Sequence, residues 1–273
     1  MKHRSLAWPL ALLLSCAVPD AFSQPGKPDQ PVYRKGGFSS MIAMGKALFK
    51  TLKPAFKEQV HFQPVSLETD VMPYVRLEEY KDPDVPKPMR MVFISVGFID
   101  LVNYVAHAKA IDKVEKGFFD KYVLSLGQES GEKGLKELPR LSDPKFWTED
   151  MMNEQESSFN QMCGILLATE LSHHYLGHYK KYADKLMDAN GKPVPINSLL
   201  TEAEWKDSLK AGTINALNCG YGIDGIKSLF DAIEKMPQRP AWTTYFLPKF
   251  ANVKQVKKDL KRLEDNFFAG NEL

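Results

Sequence analysis

Between Thr148 and Asp188 the chain holds one long run of helix-compatible residues, interrupted only by Gly164 and Gly177, and this run constrains the fold more than any other. It follows the turn signal Asp143-Pro144, opens with Glu149 and Asp150 placed for a first helical turn, and closes before Asn190-Gly191. Phe159, Met162, Ile165 and Leu166 lead into Ala168-Thr169-Glu170-Leu171-Ser172-His173-His174-Tyr175-Leu176-Gly177-His178. The run predicts a central helix. Each internal glycine costs about 1 kcal/mol against alanine in a free helix, so close packing, or a helix end at Gly177, is expected.

That stretch carries three of the six histidines beside a carboxylate. At about 100° per residue, with Glu170 as zero, His173 falls at about 300°, His174 at about 40° and His178 at about 80°. All four side chains then share one side of the helix. Glu170, His174 and His178 form an i, i+4, i+8 ridge whose neighbours can reach a common ion or each other. Histidine and carboxylate together are zinc-ligand chemistry, so the candidate metal residues are His173, His174 and His178. The plainer alternative is a solvated helix face with incidental metal affinity.

The first residues read as targeting. Lys2, His3 and Arg4 precede an apolar run from Leu6 to Leu14, and Ala21-Phe22-Ser23 is a small-x-small cleavage site. Leu13-Leu14-Ser15-Cys16 overlaps it and resembles the lipobox of bacterial lipoproteins, with Cys16 as the acylated residue. Export to a bacterial periplasm or envelope is expected, with contact to a membrane only through such an anchor. Residues 1–23 contain Lys2, Arg4 and Asp20, so 34 basic and 33 acidic residues remain beyond them. That balance gives no electrostatic reason for a nucleic-acid partner. Cys163 and Cys219 are then the remaining cysteines, either paired in a disulfide or buried as free thiols.

The rest of the chain predicts one α+β domain, predominantly helical, over residues 38–273, preceded by an extended tether at 24–37. Helical spacing covers Phe38 to about Lys57 and places lysines on its wet face. Strand-like runs lie between Val60 and Tyr80, and the best strand, Met89 to Gly97, feeds a helix running to about Val114. In that helix His107 reads as a satisfied histidine. A short helix follows at 117–127. Thr201 and Glu204 fit a capping box opening a helix that runs to about Ala216. Further helices are expected at Ile223 to Met236 and Val253 to Phe268. The aromatic loop Pro237 to Pro248, with Trp242, Tyr245 and Phe246, either covers the core or lines a groove.

Three segments taken in order, Met91 to Leu101, Ala168 to His178 and Asp207 to Tyr221, resemble the HtpX and CAAX-prenyl-protease type of zinc metallopeptidase. In that family a strand ending in a Ser/Thr-x-Gly turn feeds a helix, and an active-site helix carries His-Glu-x-x-His. A later helix supplies a glutamate ligand, followed by a Gly-Tyr turn. The resemblance spans roughly residues 89–236. It implies a zincin-like fold, a peptide or protein substrate, Glu170 as general base and His173 as a zinc ligand. The first ligand position falls on Thr169. The third falls on Ala203, with Glu202 and Glu204 on either side, so Glu204 joins the candidate ligands. The resemblance therefore implies zinc-dependent peptide hydrolysis at an atypical site, or a non-catalytic binding or envelope-assembly protein that kept the frame. A helical lipoprotein without metal is the third expectation.

Overall fold

A computed structural model describes residues 30–58, 66–68, 70–80, 83–84, 89–128 and 132–271. Cys16, the targeting segment and the run at Val60-His61-Phe62 lie outside the described residues. The architecture is α+β and mainly helical, with one three-stranded sheet. Among the described residues no helix is long and apolar enough to cross a membrane.

Helix α1 (Gln30–Thr51) and the short α2 (Pro54–Lys57) come first. The expected tether therefore ends earlier than residue 37. Pro31 sits in the first turn, where its missing N–H has no intrahelical acceptor to lose. Gly37 is buried, and a Cβ there would stand 2.8 Å from Ile99 Cγ2, so this glycine serves contact with a neighbouring helix rather than a break.

Strands β1 (Ser66–Glu68), β2 (Val75–Tyr80) and β3 (Met89–Ser95) lie in the order β1-β3-β2. β1 runs parallel to β3, and β2 runs antiparallel to it with Val75 opposite Ile94 and Leu77 opposite Val92. The period-two alternation of a strand puts these four side chains on one face, where all are buried. Among the described residues β2 is an edge strand. Ser95 closes β3 and caps α3 (Val96–Asp112): its hydroxyl accepts from Phe98 N and from Tyr74 N, tying the helix start to the sheet.

Helix α4 (Phe118–Leu126) packs on α3, and α5 (Glu149–Tyr175) runs through the middle of the molecule against α1, α3, β2 and β3. The short α6 (His178–Tyr182) follows α5. Then come α7 (Glu202–Asn218), α8 (Asp224–Lys235) and α9 (Val253–Phe268). α7 and α8 also pack on α5. The capping box of Thr201 and Glu204 is formed, and α9 has the bounds its amphipathic spacing predicts. In the aromatic loop Trp242 and Phe246 are core residues, whereas Tyr245 also borders a cleft.

The long central run is two helices rather than one. Gly177 takes φ 80°, the left-handed conformation that glycine enters without strain, and the chain turns there. Everything after it leaves the axis of α5.

Candidate functional site

The helix break reorganises the histidines. With His178 on a separate helix, the i, i+4, i+8 ridge through Glu170, His174 and His178 does not form. His178 instead meets His173: their Nδ1 atoms lie 3.1 Å apart, with ring centroids 5.3 Å apart at 47°. One imidazole must present an N–H and the other a lone pair for this contact to be a hydrogen bond. His174 faces the other way and lies against the Tyr179 ring, centroids 4.9 Å apart. Among the described residues neither of its ring nitrogens has a partner, and Nε2 of His173 has none either.

All three histidines are buried. Burial, reinforced by the neighbouring His178 and His174, depresses the His173 pKa to about 3. Burial with the nearby Arg90 charge does the same to His174, also to about 3. His178 is lowered by burial against the opposing pull of Glu204 and Asp207. All are therefore neutral imidazoles near pH 7. Glu170 is buried too, and desolvation pushes its carboxyl well above the usual carboxylate range. Its Oε2 has no hydrogen-bond partner among the described residues.

Helix α7 supplies no ligand to this turn. Ser172 Oγ donates to Thr169 O at 2.6 Å and reaches Ser208 O at 3.3 Å, which sets Ser208 opposite the turn. Gly212 lies against Thr169, where a Cβ would come within 2.5 Å of Thr169 Oγ1. Serine and glycine thus occupy the places on α7 that face Thr169 and Ser172.

Glu204 points elsewhere. Its Oε2 accepts from Thr201 N at 2.9 Å and Thr201 Oγ1 at 2.8 Å, closing the cap of α7. Lys181 Nζ donates to Oε1 at 2.7 Å and the Tyr182 hydroxyl to Oε2 at 2.9 Å. Partial desolvation opposes its charge, but Lys181, Thr201 and Tyr182 outweigh it and hold the carboxyl at about 2. Glu204 is thereby corrected from candidate ligand to helix cap and α6 anchor. Among the described residues no group of three or more histidine, cysteine, aspartate or glutamate side chains could hold a metal ion. As arranged, these side chains do not fit the three-ligand zinc that the resemblance implies.

The cysteines take the second of their two alternatives: both are free. Cys163 is fully buried, and the Cys219 thiol lies 3.1 Å from Thr51 Oγ1.

What Glu170 does border is a cleft of about 160 Å³. Val75 to Glu79 of β2 form one side, with Tyr179, Leu186, Val194 and Tyr245 among the other lining residues. The pairing of Tyr74 with Ser95, through Ser95 N donating to Tyr74 O at 3.2 Å, fixes the alternation along β2. Residues 74, 76 and 78 turn their backbone groups toward β3, so Val75, Leu77 and Glu79 turn theirs to the open edge. Glu79 N donates to the Tyr179 hydroxyl at 2.9 Å. Among the described residues no hydrogen bond reaches the outward groups of Val75 or Leu77.

The strand Tyr74 to Leu77 is visible in the sequence, but its edge position is not, because strand order comes from pairing partners distant in the chain. Tyr179 carries no sequence signal either; only the turn at Gly177 brings its hydroxyl to β2. No protein-family model, curated protein or solved structure matches the chain.

Proposed function

We propose that the protein is an exported, non-catalytic peptide-binding protein on a zincin-like frame, with its site in the cleft between the open edge of β2 and Glu170. One observation carries this reading: among the described residues, the outward backbone groups of Val75 and Leu77 are unpaired and stand beside a buried carboxyl that lacks a partner. An exposed edge offers the N–H and C=O of alternate residues to an incoming extended chain, which adds as a further strand. The zincin-like frame is supported by α5, which carries Glu170 and His173 across the sheet, and by α7 packed along it. Loss of catalysis is supported by Thr169 in the first ligand position, by Ser208 and Gly212 on the facing helix, and by the use of Glu204 as a cap. Export rests on residues 1–23 and the cysteine at position 16.

Amide chemical shifts of the isotope-labelled mature chain, titrated with an unlabelled strand-forming peptide, test the site. The amides of Val75 and Leu77 are expected to move most, and a peptide N-methylated along one edge is expected to leave them in place. Unmoved β2 amides, or cleavage of the peptide by the protein, would contradict the reading. For envelope attachment, Cys16→Ser is expected to shift the protein from membrane to soluble fractions; an unchanged distribution counts against acylation.

A further inference from the structure

We propose that Glu170 recognises an uncharged carboxamide side chain, asparagine or glutamine, on the peptide held along β2; this rests on the peptide-binding reading above. The cleft holds about 160 Å³, below the roughly 300–1,000 Å³ of small-molecule pockets. It suits a single side chain whose backbone lies outside. Strand geometry supplies such a side chain, since alternate residues of an added strand point to the same face.

The walls specify its body. Leu77, Leu186, Met187, Val194, Ile196 and Tyr245 present mainly apolar surface around the carboxyl. The polar end must then meet Glu170, whose Oε2 is buried and unpartnered. Leaving such an atom unsatisfied costs free energy that a correctly shaped ligand group recovers.

The charge of the site selects the group. Burial favours the neutral acid at Glu170. A neutral carboxyl has one O–H to donate and one C=O to accept, and a primary carboxamide offers the matching C=O and N–H in the same plane. Both hydrogen bonds form side by side, without moving a charge out of water. A lysine or arginine would have to shed its hydration and ionise Glu170 before any attraction is recovered. A peptide carboxylate would likewise shed its hydration against an uncharged acid. An aliphatic side chain fills the space and leaves Oε2 unsatisfied.

The test uses the full mature chain and a fluorescein-labelled strand-forming peptide with glutamine, leucine, glutamate or lysine at one central position, read by fluorescence anisotropy near pH 7. The glutamine peptide is expected to bind about tenfold more tightly than the leucine peptide, the effect of roughly one net hydrogen bond. Glu170→Leu is expected to erase that preference while retaining the leucine peptide. Glu170→Gln is expected to keep it, because an amide also pairs with an amide. Equal affinity of the glutamine and leucine peptides overturns carboxamide recognition and leaves edge binding standing. Preference for lysine overturns it in favour of a cation site. If no host peptide binds, edge binding and carboxamide recognition fall together.

Discussion

Two groups of polar side chains are buried along α5, and they differ in one respect. At the α3 face Asn103 donates to Ile99 O at 2.8 Å and accepts from Gln155 Nε2 at 2.7 Å. Nearby His107 Nε2 lies 2.6 Å from Phe146 O, with its ring edge-on to Trp147. Each has a partner within the protein. At the far end of α5 the opposite holds. Five buried side-chain polar atoms without a partner among the described residues belong to Thr169, Glu170, His173 and His174. Buried polar atoms are nearly always bonded, so a concentration of orphans in two turns of one helix separates a structural polar group from one kept for something outside the chain.

Acid sharpens this contrast most. His173 and His174 stand at about 3 when folded, against an ordinary value of 6.5. A depressed histidine favours the unfolded chain on protonation, so its contribution is present above 6.5 and is lost as pH falls toward 3. Glu170 has the opposite sign: its raised pKa gives a contribution fullest below the ordinary 4.5 and declining as pH rises. On acidification below 6.5 the depressed histidines lose their contribution while Glu170 opposes them; below 4.5 Glu170 no longer opposes and Glu204, held at about 2, adds to the loss, so the slope steepens there. Denaturant unfolding across that range checks the slope. His174→Phe is expected to flatten it, and an unchanged slope would remove His174 from the account.

Helix contact comes next. Gly212→Ala drives a Cβ into Thr169 and is expected to cost about 2–3 kcal/mol by overpacking. A silent substitution would mean that α5 and α7 are not held this closely. At the partnered end, Asn103→Ala strands the Gln155 amide and is expected to cost about 2 kcal/mol. Glu170→Leu has the smallest effect and the reverse sign. Removing an unpartnered buried carboxyl is expected to raise stability by about 1 kcal/mol. Destabilisation comparable to that of Asn103→Ala would show that Glu170 is partnered after all, and the difference between the two ends would disappear.

Much of the frame was legible in the sequence because it follows from local rules. The Thr201 and Glu204 cap, the strand from Met89 and the amphipathic α9 each depend on residues within one or two turns of each other. Gly177 was legible as a stopping point, but its consequence was not. A ridge drawn at 100° per residue is valid only while the helix continues, and one residue with φ 80° moved His178 from the side of His174 to His173. The double use of Glu204 shows the same limit. Its capping role was local and readable, whereas its ion pair with Lys181 needed α6 to be placed first. The cleft at β2 was hidden for a third reason: an edge is defined by the strand that is absent from one side.

Glu170 either serves a peptide-recognition cleft at β2 or belongs to a catalytic zinc centre with the neighbouring histidines. The most direct measurement is the zinc content of the mature protein, purified without a histidine tag, beside a peptide-hydrolysis assay on the same sample. We predict far less than one zinc per chain, no hydrolysis, and the same result for Glu170→Gln. One tightly held zinc per chain, with peptide hydrolysis abolished by Glu170→Gln while the metal is retained, would contradict it.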